Sequence, residues 1–261
     1  MIRNRREFLR LTGSTIMGAS MASAFSACTT TKDSVKPEDK ASLPLVAPLT
    51  GLPPQKSYHS VRVAGPYLSM TFDDGPHPVN TPVLLNLLAK NDIKSTFFII
   101  GSNVQRYPDL VKRMVDEGHE VANHTFSHPA LNQVSAAEVD SQISRTQEAI
   151  VKACGVTPKL MRPPYGAFNN ALISEMRSTY ALTTVFWSVD PNDWKKPGAS
   201  VVADRILSGA QKGSIILSHD IHAPTIEAMY TALPGLKLKG FNSVTASQLI
   251  AMELPPAVTA A

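Results

Sequence analysis

The sequence predicts an α/β fold, a parallel sheet wound into an incomplete or distorted (β/α) barrel. Three observations predict it. From about residue 66 to residue 252, short apolar runs alternate with amphipathic stretches, and repeated βα units make a parallel sheet with helices outside it. That region has 187 residues, fewer than the roughly 250 of a full (β/α)₈ barrel. The residues best suited to chemistry fall where predicted strands end, which is where α/β folds keep their sites.

The elements follow in order. Tyr67 to Phe72 reads as the first strand. Thr81 is placed to cap a helix with Pro82 at its first position, and Val83, Leu84, Leu85, Leu87 and Leu88 form its buried side. Ile93 to Ile100 is a β-rich run. Val104, Tyr107, Leu110, Val111, Met114 and Val115 then recur at helical spacing. Glu120 to Asn123 reads as a short strand. Ser135 and Glu138 have the spacing of a capping box, which opens a helix through Val139, Ile143 and Ile150. Lys159 to Arg162, Ala181 to Ser188 and Ser214 to Ser218 are further strands. Helices centred near Ile173, Val202 and Ala228 lie between or after them.

The N-terminal segment has a different character. Arg3, Arg5, Arg6 and Arg10 precede a charge-free run from Leu11 to Thr31. A basic head before a mildly apolar, small-residue run is the layout of a secretory signal, too dilute for a spanning helix. The stretch from Asn4 to Arg10 resembles a twin-arginine export motif; an ordinary secretory signal is the alternative. Residues 25–28, Phe-Ser-Ala-Cys, resemble a lipobox, with Phe25 where Leu is preferred. Cys28 is then the expected lipidation site, and a lipid anchor holds the protein at a membrane without spanning it. Cleavage after Ala22-Ser23-Ala24 is the alternative. Residues 28–60, with five prolines, read as a tether, and residues 66–252 as a globular head.

This division changes what the charge means. The net +4 invites a nucleic-acid reading. Residues 1–27 hold four of the 25 basic and one of the 21 acidic residues, so the rest carries +1. No nucleic-acid partner is expected, and no obligate protein partner is evident. The composition is too apolar for a disordered chain. Two cysteines make no disulfide scaffold, and Cys154 reads as a packed thiol. No Gly-x-Ser-x-Gly elbow and no phosphate-cradling glycine loop occurs.

The chemistry gathers in five segments. Thr71-Phe72-Asp73-Asp74-Gly75-Pro76 ends the first strand, and two adjacent carboxylates there make sense around a cation, or with one held as a base. His124 and His128 follow the third strand four residues apart, a spacing that lets both imidazoles reach one ion. With Asp74 they form a two-histidine, one-carboxylate set that leaves room for water and substrate. Arg162-Pro163-Pro164-Tyr165-Gly166 is a stiff loop in which Arg162 can orient a carboxylate and Tyr165 offers a wall and a backbone N–H. Asp190-Pro191-Asn192-Asp193-Trp194 and Leu217-Ser218-His219-Asp220 end later strands.

Together, in this order, TFDDGP, HTFSH, RPPYG, DPNDW and LSHD strongly resemble the NodB-type polysaccharide deacetylases, carbohydrate esterase family 4, over about Pro66 to Met252. The resemblance implies about seven βα units in the barrel. It implies a divalent metal, zinc or a similar ion such as cobalt, on Asp74, His124 and His128. It makes Asp73 the base that takes a proton from water and His219 the acid that protonates the departing amine. Arg162 would tether Asp73, and Asp193 would orient His219. The Tyr165 N–H would hold the oxyanion, with Trp194, Tyr165 and Leu217 as groove walls. No chemistry is assigned to His77 or His222, which flank these segments, to His119 in a turn, or to His59 in the tether.

The expected function is removal of N-acetyl groups from an N-acetylglucosamine-containing polymer at the cell envelope. Peptidoglycan comes first, then chitooligosaccharide or exopolysaccharide. The alternatives are an O-acetyl esterase of xylan type and a non-catalytic glycan-binding lipoprotein.

Overall fold

In the computed structural model, which describes residues 57–255, strand β1 (Tyr67–Asp73) is the centre of the sheet. The expected signal (1–27), the lipidation site Cys28 and the tether as far as residue 56 lie outside the described residues. Strand β1 is buried on both faces, so both of its residue sets are core-facing. Leu68, Met70 and Phe72 join the main hydrophobic core under the helices. The alternate residues Ser69, Thr71 and Asp73 are buried as well and occupy the opposite face, the barrel interior. That alternation turns Asp73 inward.

The chain continues as α1 (Asn80–Asn91), β2 (Thr96–Ile99), α2 (Gly101–Arg106), α3 (Pro108–Asp116), β3 (Glu120–Asn123), α4 (Ala136–Cys154) and β4 (Leu160–Met161). Then come α5 (Asn170–Tyr180), β5 (Thr183–Thr184), α6 (Ala199–Gly209), β6 (Ile215–Ile216), α7 (Ala223–Leu238), β7 (Asn242–Ser243) and α8 (Ala246–Ala251). The strands run parallel in the order β5-β4-β3-β2-β1-β6, with β7 added to the start of β1.

The sheet nearly closes. After β5 the chain continues as an irregular segment. The Ser188 N–H donates to the Ile215 carbonyl at 2.9 Å, and the Leu217 N–H donates to the Val189 carbonyl at 2.9 Å. The two edges thus meet through a loop rather than a ladder, and the result is the distorted barrel that the sequence predicts. A second cluster, including Phe98, Ala122, Leu160, Val185, Ile215 and Leu249, fills the interior. A third packs α4 on α5 through Ile143, Met161 and Met176.

The structure corrects the tether boundary at residue 60. The Tyr58 N–H donates to the Thr184 carbonyl at 3.1 Å, and Tyr58 is buried. The Val61 N–H donates to the Gly213 carbonyl at 2.9 Å. Residues 57–61 therefore form a strap across the β5–β6 gap. Gly213 permits it: its φ is +77°, and a Cβ there would lie 1.6 Å from the Val61 oxygen.

Several local expectations also change. Thr81 is not a cap, because α1 starts at Asn80 after Val79. Thr81 is buried instead; its Oγ1 accepts from the His77 N–H at 2.8 Å and donates to the Asp220 carboxylate. The helical stripe from Val104 to Val115 splits into α2 and α3, since Pro108 has no N–H to continue the ladder and begins a new helix. Ser135 caps α4 through the Glu138 N–H, but Glu138 accepts from Gln142 rather than completing the box. The later strands shorten to two residues each because sheet curvature breaks the ladder. Strand β7 and helix α8, absent from the sequence reading, complete the sheet and the barrel floor. Among the described residues, no helix is long and apolar enough to cross a membrane.

Candidate active site

The five motif segments converge on one cavity of about 390 Å³. Asp73, Asp74, His124, His128, Tyr165, Trp194, Leu217 and His219 line it, together with Pro163, Trp187 and Asp190. Arg162 and Asp193 stand behind this lining and are buried.

Asp73 ends β1 facing the interior and is held there by Arg162. The Arg162 Nη1 donates to Asp73 Oδ1 at 2.7 Å and to Thr71 Oγ1 at 2.8 Å. Its Nε donates to the Val185 carbonyl at 3.1 Å and its Nη2 to the Phe186 carbonyl at 2.9 Å. The guanidinium lies 4.1 Å from the Phe98 ring centre. Burial pulls the Arg162 pKa down and the Asp73 charge pushes it back up. A fully buried arginine with these partners is a strut across the barrel, and it leaves Asp73 Oδ2 toward the histidines, 3.8 Å from His124 Nε2.

Asp74 leaves the strand with φ +73°, and its carboxylate turns to His124 and His128. Its Oδ1 lies 3.4 Å from His124 Nε2 and 3.3 Å from His128 Nε2. A tetrahedral zinc with bonds of about 2.0–2.1 Å spans ligand–ligand edges of about 3.3–3.4 Å. The spacing fits such an ion. Asp74 Oδ1 is also buried with no hydrogen-bond partner among the described residues, an orphan that a cation would satisfy.

The protonation states fit as well. The His124 Nδ1–H donates to the Arg162 carbonyl at 2.7 Å, which leaves the Nε2 lone pair free to ligate. Burial, reinforced by His124, pushes His128 down to about 4, so it is neutral at neutral pH. Burial works to raise the Asp74 carboxyl, but the imidazoles facing it, His124 first, then His128 and His219, hold it well below the usual range. These residues fit a divalent cation.

The backbone around this cluster is unusual. Asp74, Thr125, His128 and Tyr165 all have φ between +60° and +73°, a region costly for non-glycine residues and typical of sites where geometry is imposed. Gln142, buried about two turns into α4, supports the histidine loop. Its Oε1 accepts from the Phe126 and Ser127 N–H groups at 2.7 and 2.8 Å, and its Nε2 donates to Ser127 Oγ at 2.8 Å. The sequence reading missed Gln142. The only local signal was a polar residue on the buried face of a helix.

His219 follows β6 and forms a bridge with Asp73. Its Nδ1–H donates to Asp193 Oδ1 at 2.8 Å, and its backbone N–H donates to Asp193 Oδ2 at 2.7 Å. Thr225, also missed from sequence, donates to Asp193 Oδ2 at 2.8 Å. Burial alone would lower the His219 pKa. The hydrogen bond and charge of Asp193, with Asp73 and Asp74, instead raise it to about 9. His219 is therefore a protonated imidazole at neutral pH in the metal-free site. Asp193 is held below its usual range; burial opposes this, and His219 and Thr225 outweigh it.

Tyr165 and Trp194, 72% and 51% exposed, stand at the rim, and Leu217 is buried in the wall. The Tyr165 ring meets His128 edge-on at 4.6 Å. Trp187, inside a predicted strand, is an additional wall residue. Asp220 accepts from Thr81 and is not among the residues lining the cavity; burial, with Asp74 and Asp73, raises it to about 7 against the pull of Thr81. His59 is no tether residue: it stacks on Phe186 with ring centres 4.5 Å apart.

Comparison with known proteins agrees with this geometry. Residues 60–182 match the family model described as polysaccharide deacetylase. The chain is 42% identical over 187 residues to the peptidoglycan-N-acetylglucosamine deacetylase of Listeria monocytogenes, covering 72% of this chain and 39% of that protein. It is 38% identical over 188 residues to the chitooligosaccharide deacetylase of Bradyrhizobium, covering 66% of this chain and 85% of that one. The chain thus spans well under half of the Listeria relative and most of the rhizobial one. Its fold superposes on a family 4 carbohydrate esterase from Streptomyces lividans with a TM-score of 0.67, at 39% identity, over 75% of this chain and all of the other. With five motifs meeting in one cavity and this extent of similarity, the chain belongs to the polysaccharide deacetylases of the NodB type, carbohydrate esterase family 4.

Proposed function

We propose that the protein is a metal-dependent hydrolase that removes N-acetyl groups from an N-acetylglucosamine-containing polysaccharide, with peptidoglycan the first substrate and chitooligosaccharide or exopolysaccharide next. One observation carries the proposal: a tethered carboxylate, Asp73, and a carboxylate-bound imidazole, His219, share a cavity with the Asp74–His124–His128 cluster. The relatives named above supply the substrate class.

A divalent cation held by Asp74, His124 and His128, zinc or a similar ion such as cobalt, would supply Lewis acidity and lower the pKa of the attacking water. The chain's own residues do the rest. Asp73, fixed by Arg162, accepts the proton that water loses as its oxygen adds to the acetamide carbon. The Tyr165 N–H donates to the carbonyl oxygen as charge builds on it. The C–N bond then breaks, and His219 gives a proton to the nitrogen. Acetate and a free amine leave. Asp193 holds His219 through Nδ1, so the transferable proton sits on Nε2. Tyr165 and Trp194 give aromatic walls for the apolar faces of sugar rings, with Leu217 beside the acetyl methyl.

The export features extend the proposal. A twin-arginine signal ending before Cys28 would place a lipid-anchored head on the extracytoplasmic face, where the peptidoglycan substrate lies. Metabolic labelling with a fatty acid tests this: Cys28→Ser should lose both the label and the membrane-bound fraction. Equal membrane retention would contradict the anchor.

The activity is tested by acetate release from N-acetylated glycans by the zinc- or cobalt-loaded protein. Asp73→Asn should abolish it. Release unchanged by that substitution would remove Asp73 from the mechanism. Release from acetylated xylan alone would favour an O-acetyl esterase.

A further inference from the structure

Asp220, the residue after His219, is fully buried and lies behind the catalytic cavity rather than in its lining. Its carboxyl rests against the turn that carries Asp73 and Asp74. A Cβ on Gly75 would fall 2.5 Å from each Asp220 oxygen, so the carboxyl fills the space that a side chain at position 75 would need. Asp220 Oδ2 accepts from Thr81 Oγ1, and Thr81 is fully buried too. A hydroxyl has one proton to give. Thr81 gives it to Asp220 and accepts the His77 N–H at 2.8 Å. The His77 ring closes the same turn onto α1, with its Nδ1 accepting from the Val79 and Asn80 N–H groups at 3.3 and 3.2 Å.

The turn is gripped from its other side as well. The Gly75 carbonyl accepts from the Ile100 N–H at 3.0 Å, and the Asp74 carbonyl accepts from Asn103 Nδ2 at 2.9 Å. These contacts tie it to the start of α2, while Asp220 ties it to the end of β6. Asp220 is also bonded in the chain to His219, and the Asp73 N–H donates to the Ser218 carbonyl at 2.9 Å. One side chain thus touches the Asp73–Asp74 half of the site and belongs to the His219 half. Packing alone does not account for it. Asp220 Oδ1 is buried with no hydrogen-bond partner among the described residues, and polar satisfaction is broken chiefly where a site needs the group.

We propose that Asp220 is a positioning residue: its bond to Thr81 and its contact with Gly75 fix the turn that presents the base Asp73 and the metal ligand Asp74, and set that turn against the acid His219. The inference rests on the metal-dependent deacetylase reading and deepens it.

The test pairs a zinc competition titration with kcat and KM for acetate release from N-acetylchitooligomers. Thr81→Val keeps the shape and removes the hydroxyl. It should weaken zinc binding about tenfold and lower kcat about 10–100-fold, with KM unchanged because the cavity walls are untouched. Thr81→Ser should restore both. Asp220→Ala should match Thr81→Val, and Asp220→Asn, which keeps a flat group and an acceptor for Thr81, should stay near the wild type. If Asp220→Ala does not fold, the Thr81 pair decides. Zinc affinity and kcat unchanged in Thr81→Val, or equal losses in Thr81→Ser and Thr81→Val, would overturn the positioning role. Asp220→Asn as damaging as Asp220→Ala would overturn it in favour of a role for the charge. Weakened zinc binding in Thr81→Val, beside a zinc-loaded wild type that releases no acetate from any N-acetylated glycan, would support the hold on Asp74 and overturn the deacetylase reading.

Discussion

Asp193→Asn isolates what the carboxylate does for His219. The substitution keeps size and shape. Asp193 Oδ2 accepts from two donors, the His219 N–H and Thr225 Oγ1, so the Asn oxygen will take that position and turn its NH₂ toward His219 Nδ1. An imidazole that accepts at Nδ1 carries its proton on Nε2 when neutral and is a far weaker acid. His219 is raised from 6.5 to about 9 against the effect of burial, with Asp193 the largest of the groups that raise it. Because the folded value is raised, the charge contributes stability that is full below pH 6.5 and lost as pH rises through about 9. At 1.36 kcal/mol per unit, this is an upper bound of about 3 kcal/mol, since Asp73 and Asp74 share the effect. Thermal melting of the metal-free proteins from pH 6 to 10 reads it: the wild type should lose stability across that window, and Asp193→Asn should show a weaker slope. In the loaded enzyme the cation pulls His219 down, so the comparison is between proteins. The alkaline limb of kcat should move to lower pH in the variant, and kcat itself should fall about 10²-fold or more. Identical limbs and identical melting slopes would refute the role given to Asp193.

Three further outcomes follow from the same contacts. Arg162→Met leaves the Asp73 charge buried without its partner and should cost about 3–5 kcal/mol in chemical denaturation, with kcat reduced even where the protein remains folded. Gln142→Ala strips the Phe126 N–H of its acceptor, costing about 1–3 kcal/mol, and should weaken zinc binding in a competition titration by about 10–100-fold, because His128 loses its supported loop. Gly213→Ala forces a Cβ onto the Val61 carbonyl at positive φ and should cost about 3 kcal/mol or more, read as a lowered Tm with the strap released to proteolysis.

Much of this site was legible in the sequence for a physical reason. In a parallel α/β sheet, the residues that leave a strand's carboxyl end all arrive at the same face. Asp73, His124, Arg162 and His219 each lie within about three residues of a predicted strand end, so local reading found them. Gln142 and Thr225 act from the interior faces of helices, where a buried polar side chain carries no local mark. His59 was placed in the tether because its proline-rich flanks read as one, while Tyr58 and Val61 beside it are buried against β5 and β6. Strand lengths were overread where β-rich runs such as Ala181 to Ser188 curve out of the ladder to close the barrel. Thr81 satisfied every local rule for a cap, but a buried acceptor, Asp220, claimed its hydroxyl instead.

The most direct test of the central claim is mass spectrometry of peptidoglycan fragments incubated with the protein lacking residues 1–27, after metal stripping and again after zinc reloading. The account predicts fragments that have lost acetyl groups from N-acetylglucosamine residues only with the reloaded protein, and none with its Asp73→Asn form. Acetyl loss at the same rate from the stripped protein, or an unaltered mass profile with the fully loaded wild type on every N-acetylated glycan, would contradict it.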